Sequence, residues 1–323
     1  MSKLIWIIDE EWKDYEIETQ LLKSSFPDCI IKHSKDDYKN DLEAFGKKAD
    51  AILAQIYVDL PKATIDKLEN CKVISVYGGG FNRVDLDAVK NKGIIATYVP
   101  GYCTEEVSDQ VILFIYYFAK KINSYSEPVK KGLWGAQTVN YNNMPKRIKG
   151  SILYLIGFGR IAKTVARKAM SLGMEVIAYD PYINVEEMKK MGVKKVEWEE
   201  GLKVCDFVSI HTPLTDETKN MIGKKEFELI KKDAVLINVS RGEIIDEKEL
   251  INAVKNGVIA GAGLDVVVNE PPEPDREIFK CENILVTPHV SYISHESLTE
   301  LKTRATNNVI TALKGQKPKD SIF

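Results

Sequence analysis

The chain reads as an α/β protein built of two doubly wound parallel sheets, and three observations carry that reading. Short apolar runs alternate with amphipathic stretches from end to end, the pattern of parallel strands joined by crossover helices. A glycine-rich turn, Gly157-Phe158-Gly159-Arg160-Ile161-Ala162, stands directly after one such run and directly before a helical stretch. Asp180 lies 21 residues beyond the second glycine of that turn, at the end of another apolar run.

In the first third of the chain the predicted strands are Leu4–Ile8, Cys29–Ile31, Ala51–Ala54, Val73–Val76 and Ile94–Val99. Thr104-Glu105-Glu106 then opens a helix, with Thr104 as N-cap and acids in the first turn. It carries Val107, Val111, Ile115, Phe118 and Ile122 on one face and suits a spine between two domains. The second set of strands is Ile152–Ile156, Glu175–Tyr179, Phe207–Ile210, Ala234–Val239, Ile259–Leu264 and Ile284–Thr287. Pro271, Pro272 and Pro274 stiffen the loop that precedes the last of them. A final amphipathic helix carries Leu298, Leu301, Ala305, Val309 and Leu313 and stops at Gly315. Its pattern does not say which domain it joins.

With 323 residues, 44% hydrophobic and 28% charged, the chain has material for two cores. A formal charge of −2 gives no general attraction to nucleic acid or to an anionic membrane. No apolar run approaches a membrane span, and the run from Leu4 to Ile8 is too short for a signal-peptide core, so the cytoplasm is the expected location. Cys29, Cys71, Cys103, Cys205 and Cys281 form no C-x-x-C pair, which predicts reduced, mostly buried thiols rather than a zinc site or disulfides, and no metal is expected.

The glycine turn has a definite chemistry. Gly157 permits a tight turn, Gly159 lets backbone approach a pyrophosphate, and the small Ala162 lets helix pack on strand. The phosphates would sit on the helix N-terminus, where free N–H groups and the positive end of the dipole face them. Asp180 can accept hydrogen bonds from both ribose hydroxyls, whereas a 2′-phosphate would meet a like charge, and neither Pro181 nor Tyr182 supplies a cation. NAD is the expected cofactor.

Three further residues stand at the carboxyl ends of predicted strands, where ligands of open α/β sheets bind. Arg241 follows Ala234–Val239, Glu270 follows Ile259–Leu264 through the loop after Asp265, and His289 follows Ile284–Thr287. The arginine can grip a carboxylate in bidentate fashion. The glutamate can orient the imidazole and favour its protonated form, and the histidine can move the proton that accompanies hydride transfer. His211, at another strand end, suits a cofactor-lining role, while His33 and His295 read as surface or packing residues.

The turn at Gly157–Ala162, the run His211-Thr212-Pro213-Leu214-Thr215, Asn238-Val239-Ser240-Arg241-Gly242, Gly263-Leu264-Asp265-Val266 leading to Glu270-Pro271, and Thr287-Pro288-His289 follow one another as in the D-isomer-specific 2-hydroxyacid dehydrogenases, which the whole chain resembles. The resemblance implies NAD-dependent interconversion of a small 2-oxo acid and its D-2-hydroxy acid, with Arg241, Glu270 and His289 as the catalytic set. It implies that Asp265 binds the nicotinamide carboxamide and that Phe158, Arg160, Ile161, Thr104, Pro181 and Thr212 line the cofactor. Pro213, Thr218, Asn238, Val239, Ser240 and Ser291 complete that lining. Gly79 and Gly80 would present backbone N–H groups to the substrate carboxylate, and Tyr292 would wall the substrate pocket. It further implies a discontinuous, flavodoxin-like substrate domain (residues 1–101 plus 295–323), a Rossmann NAD-binding domain (102–294), a cleft that closes over the substrate, and a homodimer formed through the nucleotide domain.

Within the family, the Val99–Val107 region and the tail after His289 resemble the branch related to the C-terminal-binding proteins, NAD-binding corepressors on the same fold, and an NAD-sensing regulatory protein is the alternative from a different class. Short phosphoglycerate dehydrogenases are the other near branch. They place an arginine after the third strand, where this chain has Ala54-Gln55-Ile56-Tyr57. Two other departures are Tyr292-Ile293 in place of a tryptophan and tyrosine, and Gln110 in place of a histidine.

Overall fold

The computed structural model describes residues 2–141 and 144–323. The chain divides into two compact units, Met1–Tyr102 with Ser294–Phe323, and Cys103–Ile293.

In the first unit, five parallel strands lie in the order β2-β1-β3-β4-β5: β1 Leu4–Ile8, β2 Ile30–Ser34, β3 Ala51–Gln55, β4 Val73–Tyr77 and β5 Ile95–Thr97. This is the flavodoxin-like order, with its topological switch point between β1 and β3. The central strands β3 and β4 are buried on both faces, as a parallel sheet covered by helices requires. The expected strand at Cys29–Ile31 lies further along, at Ile30–Ser34, and includes Lys32 and His33. As an edge strand it keeps polar residues on its exposed side, so its apolar run understates its length. The C-terminal helix α12 (His295–Leu313) belongs to this unit, burying Leu301, Ala305 and Val309. The Ser75 hydroxyl of β4 donates to its Ala305 carbonyl at 3.0 Å.

In the second unit, seven parallel strands lie in the order β12-β11-β10-β9-β6-β7-β8, a Rossmann arrangement. They are β6 Ile152–Ile156, β7 Glu175–Tyr179, β8 Lys194–Lys195, β9 Phe207–Ile210, β10 Val235–Asn238, β11 Gly261–Leu264 and β12 Ile284–Val286. The edge strand β8 went unpredicted because two lysines carry no apolar signal. The helix expected from Thr104 is α5, Thr104–Lys120, and two of its features differ from expectation. Cys103, not Thr104, is its N-cap, because Thr104 already has helical backbone. Lys121, at φ 52°, ends it in a left-handed turn, so Ile122 begins the separate helix α6 (Ile122–Lys130) and stands 51% exposed while Phe114 takes the core position. α5 lies within the second unit, packed on α7 (Arg160–Ser171). Cys29, Cys71, Cys205 and Cys281 are buried and Cys103 is partly so. Among the described residues no helix is long and apolar enough to cross a membrane.

Candidate active site

The turn between β6 and α7 has the form its glycines dictate. Gly157 adopts φ 88°, and a Cβ there would lie 2.8 Å from the His211 carbonyl oxygen, so both conformation and space require glycine. Gly159, the N-cap of α7, meets nothing within 4 Å of where a Cβ would stand and offers no side chain to the first-turn amides, and no acid occupies that turn. An open, uncapped helix N-terminus of this kind fits a pyrophosphate. Asp180, at the end of β7, accepts the Phe158 N–H at 2.9 Å on one carboxylate oxygen and the N–H groups of Tyr182 (2.8 Å) and Ile183 (3.2 Å) on the other. These bonds fix the carboxylate beside the glycine turn, and its further lone pairs suit ribose hydroxyls. Arg160 is exposed, Ile161 is half-buried, and Pro181 and Tyr182 are exposed.

At the end of β9, burial pushes the His211 imidazole down to about 3, so the ring is neutral, 2.9 Å from the Ser209 hydroxyl through Nε2. The neighbouring Thr212 Oγ1 is buried with no hydrogen-bond partner among the described residues, an orphan that a bound cofactor can satisfy. Thr218 donates to the Pro213 carbonyl at 2.7 Å and shapes that turn. Thr104 is the first residue of α5.

The loop after β10 is shaped by Asn238, which is fully buried: its amide donates to the Arg241 carbonyl (2.8 Å) and its carbonyl oxygen accepts the Ser240 N–H (2.9 Å). The Ser240 hydroxyl ties the loop to Ile210 at 3.0 Å, and half-buried Val239 packs against the core. Arg241 donates through Nη1 to the Ser240 carbonyl at 2.7 Å. Gly242 follows because a Cβ there would lie 2.1 Å from the Val267 carbonyl carbon; only glycine lets the arginine loop lie against the loop that carries Glu270.

Glu270 Oε1 accepts the Val267 N–H at 2.9 Å and Oε2 lies 2.7 Å from His289 Nδ1. Burial alone would raise its carboxyl. The hydrogen bond and charge of His289, the Val267 N–H and the charge of Arg241 together outweigh that and hold it below the usual carboxylate range. Glu270 is therefore an anion at neutral pH, placed to pair with a protonated imidazole. The edge of the Tyr292 ring lies against His289, with ring centroids 6.4 Å apart.

His289 has φ 52°, a left-handed conformation that costs a residue with a Cβ on the order of 1–3 kcal/mol and persists where the surroundings over-determine it. Asp265 does this. Its carbonyl accepts the His289 N–H at 2.8 Å, while its carboxylate, 1% exposed, accepts the N–H groups of Val290 (3.1 Å) and Ser291 (2.9 Å) and the Thr287 hydroxyl. This clamp on the histidine loop was not legible from sequence, and it is where Gln110 acts, donating from Nε2 to Thr287 Oγ1 at 3.2 Å. In the first unit, Gly79 is exposed, with open space where a Cβ would lie, and Gly80 follows it, half-buried, in the turn after β4. Among the described residues no group of three or more histidine, cysteine, aspartate or glutamate side chains is placed to hold a metal ion.

Residues 112–291 match the NAD-binding domain of the D-isomer specific 2-hydroxyacid dehydrogenases. Glyoxylate reductase of Thermococcus litoralis is 33% identical over 279 residues, which span 85% of this chain and 84% of that protein. D-3-phosphoglycerate dehydrogenase of Archaeoglobus fulgidus is 31% identical over 275 residues, 85% of this chain but 51% of that longer protein. Among solved structures, D-lactate dehydrogenase of Aquifex aeolicus, complexed with NAD and lactic acid, superposes with a TM-score of 0.84 at 27% identity, covering 96% of each chain.

Proposed function

The chain belongs to the D-isomer-specific 2-hydroxyacid dehydrogenase family and is an NAD-dependent D-2-hydroxyacid dehydrogenase, and from that premise we propose that it reduces a small, unphosphorylated 2-oxo acid of the glyoxylate or hydroxypyruvate kind, with His289 as the proton donor. The observation that carries the mechanism is the 2.7 Å contact between His289 Nδ1 and Glu270 Oε2. Glu270, held ionised, fixes the ring and stabilises its protonated form, so the proton that moves is the one on Nε2. Bound NADH supplies the hydride. As the carbonyl carbon accepts it, the carbonyl oxygen takes the proton from His289, and the reverse reaction returns both. Arg241 grips the substrate carboxylate and polarises the adjacent carbonyl, and we assign the N–H groups of Gly79 and Gly80 a substrate-binding role. We assign Asp180 to the adenosine ribose, the α7 N-terminus to the pyrophosphate and residues Met1–Tyr102 with Ser294–Phe323 to the substrate domain.

The substrate class rests on the carboxyl end of the first unit's sheet. Gln55 ends β3, buried, with its amide donating to Glu11 Oε2 at 2.8 Å and its carbonyl accepting the Ile56 N–H at 2.8 Å. Beside it β1 leads into Asp9, whose carboxylate accepts the Glu11 N–H (3.0 Å) and the Tyr15 hydroxyl (2.6 Å). An oxo acid bearing a phosphate or second carboxylate meets like charge here and no cation where phosphoglycerate enzymes carry arginine. The test is NADH oxidation by the purified protein against glyoxylate, hydroxypyruvate, pyruvate, oxaloacetate and 3-phosphohydroxypyruvate. A preference for either anionic side chain overturns the substrate reading, and no turnover with any of the five favours the regulatory alternative.

We also propose a homodimer. Leu113 (51% exposed), Ile122 (51%), Trp134 (75%) and Tyr141 (78%) lie within one stretch of the nucleotide-binding unit, a density of exposed apolar side chains that suits an interface. The buried thiols of Cys29, Cys71, Cys205 and Cys281 accord with a reducing, cytoplasmic setting.

A further inference from the structure

We infer that Gln110 is a positioning residue for His289, acting through Thr287 and Asp265. The inference rests on the proposed role of His289 as proton donor, and it concerns a side chain on α5, outside the histidine loop. The relay has a direction. A glutamine Nε2 can only donate, so at Thr287 Oγ1 it occupies an acceptor site of the hydroxyl, and the single hydroxyl proton is turned to Asp265 Oδ1. Asp265 then meets three donors of the loop that follows β12: the Thr287 hydroxyl and the Val290 and Ser291 N–H groups, which bracket His289. Its backbone carbonyl takes the His289 N–H. Because this carboxylate is almost wholly shielded from water, a lost donor is not replaced by solvent, and the grip on the left-handed residue weakens. The first quantity to suffer is the placement of the ring between Glu270 and the substrate oxygen, which the proton transfer feels and binding does not.

Gln110→Met keeps the length and removes the donor. It should lower kcat for oxo-acid reduction about tenfold, with the KM for the oxo acid and the Kd for NADH within about twofold, and it should raise the solvent deuterium isotope effect on kcat. Thr287→Val should do the same, and the double variant should be no worse than Thr287→Val alone, since both cut one relay. Gln110→His and Thr287→Ser, which restore a donor and a hydroxyl, should recover most of the loss. Gln110→Glu distinguishes the relay from simple packing: it keeps the size but draws the Thr287 proton away from Asp265, so it should fall below Gln110→Met. If Gln110→Met folds poorly, the ordering of Gln110→His above Gln110→Glu decides the matter. Wild-type kcat in Gln110→Met, equal activities of Gln110→His and Gln110→Glu, or strictly additive losses in the double variant overturn the inference. A His289→Ala enzyme that keeps its turnover overturns instead the reading beneath it.

Discussion

Substituting alanine for Gly242 tests whether the Arg241 and Glu270 loops must lie in close contact. The added Cβ would stand 2.1 Å from the Val267 carbonyl carbon, and 2.4 Å from both the Val267 oxygen and the Val268 nitrogen, all of them backbone atoms that no rotamer change can clear. Ordinary contact begins at 3.4 Å, so the two loops must part by about 1.3 Å. That displacement acts between Arg241 and the base of the loop that holds Glu270 against His289. A misplacement of about 1 Å at a catalytic constellation costs on the order of a hundredfold in rate, or about 2.7 kcal/mol. Gly242→Ala should therefore reduce kcat/KM for the oxo acid by about two orders of magnitude and lower the melting temperature, while NADH still binds at the glycine turn. Steady-state kinetics at saturating NADH, a fluorescence titration with NADH and a thermal melt together check this. Wild-type kcat/KM in a fully folded Gly242→Ala protein would refute the argument that the close approach of these two loops sets the geometry.

Gly159→Ala is the converse case: the site is open and strain-free, so the melting temperature should stay within about a degree or two while NADH affinity falls at least tenfold, read by the same titration. Glu270→Gln should move the alkaline limb of oxo-acid reduction to lower pH, because a neutral partner no longer favours the charged imidazole, and pH–rate profiles of the two enzymes check it. Since folding lowers the Glu270 carboxyl, its stabilisation is full above the ordinary carboxylate range and is lost as pH falls through the lowered value; thermal melts should show a smaller acid-side loss in Glu270→Gln than in the wild type, other lowered carboxyls such as Asp233 contributing in both. Arg241→Lys should raise the KM for the oxo acid and lower kcat with NADH affinity nearly unchanged, since an ammonium cannot reproduce the planar fork. Trp134→Glu should shift the protein toward monomer in sedimentation velocity if this 75% exposed indole lies in the proposed interface.

What the sequence made legible follows from the kind of signal each feature leaves. Both sheets were readable because central parallel strands are buried on two faces and appear as unbroken apolar runs, as in Ala51–Gln55 and Ile152–Ile156. Edge strands were not: Lys194–Lys195 and the polar half of Ile30–Ser34 meet water and lose that signal. The break at Lys121 was hidden because lysine carries no mark of a left-handed residue, whereas glycine at 157 does. Arg241, Glu270 and His289 could be proposed together because each is a reactive side chain placed just past a strand, and strand ends are where such sheets bind ligands. The clamp on His289 left no such trace. Asp265 is a single acid in an apolar run and Gln110 a single amide on a helix; their connection is a matter of distance across the fold.

That contrast explains why the histidine loop departs from local rules. A residue with a Cβ at φ 52° is disfavoured by its own backbone, and within Thr287-Pro288-His289-Val290-Ser291 the His289 N–H reaches the Thr287 carbonyl at 3.0 Å, a local bond that is only part of what holds it. The rest of the compensation is tertiary: a buried carboxylate from the end of the adjacent strand collects the loop's donors, and α5 orients one of them. Such an arrangement ties the catalytic geometry to the packing of α5 on the sheet. Because α5 also packs on α7, which opens at the glycine turn, a substitution that shifts α5 should reduce proton transfer and NADH binding together, whereas removing only the Gln110 donor should reduce proton transfer and leave NADH binding nearly unchanged.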